Sequence, residues 1–258
     1  MKTFLVQLDV VWEDRAGNFA KVSALLAKQS IPEGSLIILP EMFATGFSMD
    51  LAVTIEGAAS ETESFLGELA RTHRSTVLAG LVRQGKDGKG RNEVVVMEPS
   101  GKALARYCKL HPFSFSGEDQ HYEKGGNVVF FELGGFVVSP LICYDLRFPE
   151  AFRMAVKGGA ELIVVIAQWP SKRTQHWVTL LQARAIENQA YLIGVNRCGD
   201  DPKLHYDGRS IVVDPLGTII ADGGGDEGVT EAELDLNVVR QWRADFPALD
   251  DIRNDLPA

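Results

Sequence analysis

Short apolar runs broken by polar turns fill most of the chain, and two spacings recur in them. TFLVQLDV (3–10) mixes apolar and polar positions in the manner of a strand. SLIILP (35–40) and ELIVVIA (161–167) are unbroken apolar runs, the form taken by strands buried on both faces. Helical spacing sets in at about 14–29 through Phe19, Val22, Leu25 and Leu26. Further helices are expected at about 60–73, after the corner at Cys143 as far as about Lys157, and from about Arg173 to Gln189. Strands are expected at 76–82, 92–98, 103–110, 127–133, 135–142, 190–196, 208–214, 217–222 and 228–235, with turns at KDGKG, EPSGK and Gly134-Gly135. Residues 111–127 form a long polar loop, a length that is usually functional or disordered within a compact domain. Strands and helices in rough alternation predict an α/β fold. No repeat or linker divides it, so one domain is expected over 1–258, with its core at about 3–240 and a polar tail at about 241–258.

Composition narrows the choice of partner. An apolar fraction of 45% with 24% charged residues is that of an ordinary globular chain. The formal charge of -9 comes with no basic stripe, so no nucleic acid is expected. No apolar run approaches the roughly 20 residues that span a bilayer, so no membrane is expected either. Cys108, Cys143 and Cys198 are an odd, widely spaced set and make no disulfide framework. MKTFLVQLDVVWED lacks a secretory apolar region with its cleavage site, and a reducing cytoplasm fits these features. Neither a metal nor a cofactor is implied: HExxH and clustered Cys/His spacings are absent, and GGG at 223–225 lacks the context of a phosphate loop.

Candidate chemistry sits where apolar strands stop. Glu41 follows SLIILP, Lys109 ends ALARYCK, and Cys143 follows VVSPLI. Such ends face the crevices in which α/β proteins bind ligands. A thiol becomes a nucleophile as thiolate, and a helix starting after Cys143 is expected to favour the anion. A carboxylate can take the thiol proton. An ammonium, with a backbone N–H such as that of Tyr144, can hold the oxyanion formed when sulfur attacks a carbonyl. Taken singly, each residue has a plainer reading: a small buried hydrophobe, a turn acid, an edge charge. Cys108 is expected to point away from Lys109, its strand neighbour.

Three segments together resemble the nitrilase superfamily of carbon–nitrogen hydrolases: LPEMFATGF around Glu41, RYCKLHPFSFSGED around Lys109 and LICYDLRFPEAFR around Cys143. GAELIVVIAQWP, ARAIENQAYLIGVNRCG and DGRSIVVDPLGTII extend the similarity to about residue 240. The resemblance implies a four-layer α-β-β-α sandwich. It implies Glu41 as general base, Lys109 as oxyanion stabiliser, Cys143 as nucleophile, and a second glutamate, Glu118, with Glu123 as the competing choice. It further implies homodimers built through the helices after the cysteine and after QWP. The wording is most similar to the omega-amidase branch, which releases ammonia from 2-oxoglutaramate and 2-oxosuccinamate. A small amide bearing a carboxylate needs a cation, for which Arg147, Lys172 and Arg173 are candidates. Phe43, Phe115 and Trp169 are candidate apolar walls. Aliphatic amides, N-carbamoyl amino acids and nitriles stand as other substrates within the fold. Two rivals remain outside it: a Cys–His hydrolase using His111 or His176, and a binding module without catalysis.

Overall fold

Alternate side chains of the first strands go to different neighbours, and this sets the layers. The computed structural model describes residues 1–57 and 60–253. Its strands are β1 (Lys2–Gln7), β2 (Leu36–Ile38), β3 (Thr76–Gln84), β4 (Gly90–Met97), β5 (Ala103–Cys108), β6 (Phe131–Leu133) and β7 (Phe136–Ile142), followed by β8 (Leu162–Ala167), β9 (Tyr191–Asn196), β10 (Cys198–Asp200), β11 (His205–Asp207), β12 (Ile211–Val213), β13 (Ile219–Asp222) and β14 (Gly228–Glu233). Its helices are α1 (Arg15–Leu26), α2 (Leu51–Thr54), α3 (Glu61–His73), α4 (Glu118–His121), α5 (Pro149–Lys157), α6 (Thr174–Asn188) and α7 (Leu236–Asp245).

The described residues form two six-stranded sheets, ordered β14-β1-β2-β3-β4-β5 and β13-β12-β9-β8-β7-β6. The central strands β1, β2 and β3 run parallel, as do β7, β8 and β9, and the flanking strands are antiparallel. Leu5, Leu36, Ile38, Leu78, Val94 and Val96 turn one way and pack with the second sheet. Phe4, Val6, Ile37, Val77, Ala79 and Val95 turn the other way, under Val22 of α1 and Leu66 of α3. On the far side, Phe152 of α5 and Trp177 and Leu181 of α6 cover the second sheet. The result is the four-layer α-β-β-α sandwich, with both sheets buried on both faces as the unbroken runs of β2 and β8 require.

Local signals start and stop the helices. The Asp14 carboxylate accepts from Gly17 N at 2.9 Å to open α1, and Ser60 Oγ accepts from Glu63 N at 3.0 Å to open α3. Pro149 stands in the first turn of α5, where its missing N–H costs nothing. Gln189 ends α6 in a left-handed conformation.

Several expectations need correction. The run at 127–133 pairs only over β6, and the loop at 111–127 contains the one-turn α4. The β10–β11 hairpin and α2 were not foreseen. The expected tail opens as α7, which crosses the anticipated border near residue 240 and ends at Asp245. Asp235 caps it by accepting from Asn237 N, and Val239 is its buried anchor. One buried side chain per ten residues leaves little periodicity to read. The last residues of that tail, 254–258, lie outside the described residues.

Candidate active site

Glu41, Lys109 and Cys143 meet at one end of the sandwich, between the sheets. Glu41 follows β2 and Lys109 follows β5 in the first sheet; Cys143 follows β7 in the second. Glu41, Lys109 and Glu118 are fully buried. Lys109 Nζ donates to Glu41 Oε1 at 2.8 Å and to both Glu118 oxygens at 3.0 and 2.8 Å. Burial alone would push the ammonium pKa down, but Glu118 and Glu41 outweigh it and hold it well above the usual lysine range. Burial raises the Glu118 pKa, and Lys109 limits the rise. Glu118 Oε2 also accepts from Phe113 N at 2.5 Å. Glu123 lies elsewhere, bonded to Lys86 N and 3.7 Å from Arg91 Nη1. The difference follows from Gly117, whose left-handed φ of 80° turns the chain so that α4 starts with Glu118 pointing inward.

The sulfur stands at a strained corner. Cys143 has φ 45°, a left-handed conformation that a side chain adopts at a cost of about 1–2 kcal/mol. Met42, next to Glu41, is strained alike at φ 44°. A five-residue helical turn, Cys143–Arg147, follows the sulfur, and α5 begins only at Pro149. The thiol is therefore not at the head of a long helix. Burial, then the negative Glu41 beside it, raise its pKa well above the usual thiol range, with Lys109 opposing. This runs against the expectation of a dipole-stabilised thiolate: burial and Glu41 together favour the protonated thiol.

Side chains not singled out in the sequence hold this corner. Asp145 Oδ2 accepts from Ile142 N at 3.0 Å and from Tyr107 Oη at 2.6 Å, and Oδ1 accepts from His111 N at 2.9 Å. One buried carboxylate thus ties the cysteine corner to the lysine strand. Arg184 of α6 donates from Nε and Nη2 to Leu146 O at 3.2 and 2.9 Å. Gln168, directly after β8, donates from its backbone N to Glu41 Oε2 at 2.9 Å and from Nε2 to Glu41 O at 2.8 Å. Its carbonyl lies 3.9 Å from Cys143 Sγ. Asn92 Nδ2 donates to Glu41 Oε1 at 2.8 Å and to Glu118 Oε1 at 2.9 Å. Gln168 obeys the same strand-end rule that marks Glu41 and Cys143. Asn92 carries a weaker signal, an amide in a β-branched run that disfavours asparagine.

A cavity of about 200 Å³ opens over the sulfur. Tyr144, Arg147, Trp169 and Arg173 line it, with Trp12, Phe47, Phe113 and Tyr206 among the further walls. The Arg147 guanidinium lies 4.7 Å from the Trp169 ring, and that of Arg173 lies 5.7 Å from Phe113. Burial and the neighbouring Arg173 lower the Arg147 pKa. Among the described residues neither arginine has a carboxylate partner. Three expected contacts are absent from the cavity. Phe43 turns into the core, 6.0 Å from the Phe19 ring and 6.3 Å from that of Phe65, because the strained Met42 redirects the chain. Phe115 is 88% exposed on a short helical turn outside the rim, and Lys172 faces solvent. The histidines proposed for a Cys–His pair are also elsewhere: His111 contacts Asp145 and stacks on Phe148 at 3.8 Å, and His176 contacts Arg147.

A paired-sheet sandwich with a buried Glu–Lys–Glu cluster against a cysteine defines a class of hydrolase. The chain belongs to the carbon–nitrogen hydrolase family, whose model matches residues 3–244. It is 34% identical over 252 residues to the 2-oxoglutaramate amidase of Bacillus subtilis (strain 168), covering 97% of each chain. It is 39% identical over 255 residues to omega-amidase YafV of Yersinia enterocolitica, covering 97% of this chain and 96% of that one. Among solved structures it resembles XC1258 from Xanthomonas campestris, a superfamily protein with an arsenic adduct in its active site, with TM-score 0.92 and 32% identity over 100% of this chain and 99% of that one. The protein is thus a hydrolase of carbon–nitrogen bonds other than peptide bonds. No helix among the described residues is long and apolar enough to cross a membrane.

Proposed function

We propose that this hydrolase is an omega-amidase, releasing ammonia from the terminal amide of small 2-oxo acid amides such as 2-oxoglutaramate and 2-oxosuccinamate. The observation that carries the reading is the cavity itself. Arg147 and Arg173 face the same small space as Cys143, and among the described residues neither is ion-paired: Asp201 in the same lining accepts instead from Tyr206 Oη and from the backbone N of Lys203 and Leu204. A substrate carboxylate supplies the missing charge, and an apolar surround of Trp169 and Phe113 strengthens that attraction. Relatives named for this activity match along nearly the whole chain.

In the proposed reaction Glu41 takes the Cys143 proton while sulfur forms a bond to the amide carbon. A thiol kept neutral by burial makes this transfer simultaneous with attack. Lys109 and the Tyr144 N–H hold the oxyanion, and Glu118 keeps Lys109 charged and aimed. The carbon–nitrogen bond then breaks as Glu41 returns its proton to nitrogen, which leaves as ammonia. Water attacks the thioester with Glu41 again as base, and sulfur recovers a proton.

The decisive assay is ammonia release from 2-oxoglutaramate beside a simple aliphatic amide of similar length. The carboxylated substrate is expected to win by about 10- to 100-fold in kcat/KM, the worth of a charge-assisted contact; equal rates would remove the case for carboxylate recognition. Cys143→Ala is expected to leave neither rate above background. The same reading places the enzyme in the cytoplasm as a homodimer joined through α5 and α6, whose Met154 and Ile186 are exposed apolar side chains. Light scattering at the mass of one chain would remove the dimer.

A further inference from the structure

Asn92 is the neutral member of an otherwise charged cluster. It lies on β4, facing the second sheet with Val94 and Val96. Its backbone carbonyl accepts from Lys109 N at 2.9 Å, so the two residues stand directly across the ladder. Its side chain is fully buried. The two hydrogens of Nδ2 go to different carboxylates, Glu41 at 2.8 Å and Glu118 at 2.9 Å. These are the same two oxygens, Oε1 of each, that receive Lys109 Nζ.

The other end of the amide is informative. Oδ1 is buried without a hydrogen-bond partner. Turning the amide over would aim that oxygen at two carboxylates, so the orientation is fixed by charge. An apolar β-branched residue like those at Val94 and Val96 would fill the site without an orphaned acceptor. The polar side chain therefore serves the carboxylates, since it worsens the packing of its own strand.

We propose that Asn92 is a positioning residue, a neutral clamp that fixes Glu41 and Glu118 around the single ammonium of Lys109 so that Glu41 keeps its line to Cys143. This presupposes Glu41 as the base. Two carboxylates so close repel, and one ammonium cannot satisfy both fully. A second cation would overfill the pocket and oppose proton uptake by Glu41. An amide donates to both without changing the charge. The ionisable groups facing the clamp are Glu41 after β2, Lys109 after β5, Glu118 on α4, Cys143 after β7, and Tyr122, whose buried phenol interacts with Glu118, Glu41 and Lys109.

The experiment compares Asn92→Ala and Asn92→Asp with wild type by kcat, KM and the pH profile of kcat/KM, using 2-oxoglutaramate and an aliphatic amide. Asn92→Ala is expected to lower kcat by about 100-fold with KM within about threefold, the effect of a misplaced catalytic group rather than lost binding. With donors gone, the carboxylates hold protons more tightly, so the acid limb of the profile moves to higher pH. Asn92→Asp adds a third carboxylate and moves that limb further. Asn92→Ser, which keeps one donor, should recover part of kcat and serves if either variant does not fold. A normal kcat, or a reduced kcat with an unmoved acid limb and a matching fall in Tm, overturns the clamp and leaves Asn92 a packing residue. Glu41→Gln run alongside separates the two ideas: activity surviving there defeats Glu41 as base, whereas its loss there with unmoved Asn92 profiles defeats the clamp alone.

Discussion

The floor of the cavity and its mouth are built on opposite principles. On the floor, Glu41, Lys109, Glu118 and Asn92 are fully buried, and each carboxylate accepts from Lys109, from Asn92 and from a backbone N–H. At the mouth, Arg147 and Arg173 lie on aromatic faces with no acid partner among the described residues. The charged groups of the floor are already partnered, so they need not move when substrate arrives. Such preorganisation suits groups that act on developing charge. The mouth is left unsatisfied, so a ligand completes it. On the proposed reading, chemistry and selectivity fall to different layers of the same cavity, and each should be alterable without the other.

That division can be broken at the floor first. Glu41→Gln keeps the shape and the acceptor Oε1 but removes the proposed base, and kcat is expected to fall by about 100- to 10,000-fold. In this variant iodoacetamide should still alkylate Cys143, which lines the cavity, before the buried Cys108 and Cys198. A raised thiol pKa means little thiolate at neutral pH, so the Cys143 labelling rate should climb steadily from pH 7 to 9. A plateau within that range would show a thiolate already formed.

A smaller effect is expected from Gly80→Ala. A Cβ there would stand 2.6 Å from both Glu41 Cα and Met42 N, backbone that has little room to retreat. Displacing the base by even part of an ångström should lower kcat by about 10- to 100-fold with KM nearly unchanged; an unaffected kcat would mean that the Glu41 turn is softer than its contacts imply. At the mouth, Arg147→Gln should do the reverse, raising KM for 2-oxoglutaramate about 10-fold while leaving kcat within a few-fold. A loss confined to kcat would place Arg147 with the floor and erase the distinction. The least effect belongs to Phe115→Ser. With its ring exposed outside the rim, kcat and KM should both stay within about twofold.

Strand ends were the most legible part of the sequence, because a charged or reactive residue just after an apolar strand faces the crevice outside the sheet. Glu41, Lys109 and Cys143 stood out on that ground, and the structure brings them together. Gln168 obeys the same rule but carries no charge. Asn92 and Asp145 act through partners far along the chain, Asp145 on Tyr107 and His111 and Asn92 on Glu41 and Glu118, and pairings of that range leave no local periodicity. Phe43 shows the opposite failure. Sitting two residues after a predicted base makes a wall plausible, yet a single left-handed residue, Met42, sends the ring into the core. The corner at Cys143 was legible in its sequence, whereas its left-handed backbone and the raised pKa of its thiol depend on geometry and burial that spacing alone does not reveal.

Glu41 and Lys109 ride on one sheet and the sulfur on the other, so on the proposed reading the apolar layer between the sheets doubles as a ruler for the reaction. A methyl group added or removed among Leu78, Val94, Ile142 and Val164 alters the gap between the thiol and the proposed base. Drift in that layer is then felt as slower turnover before it is felt as a weaker fold, and the most ordinary aliphatic residues of the molecule set the tolerance of its least ordinary corner.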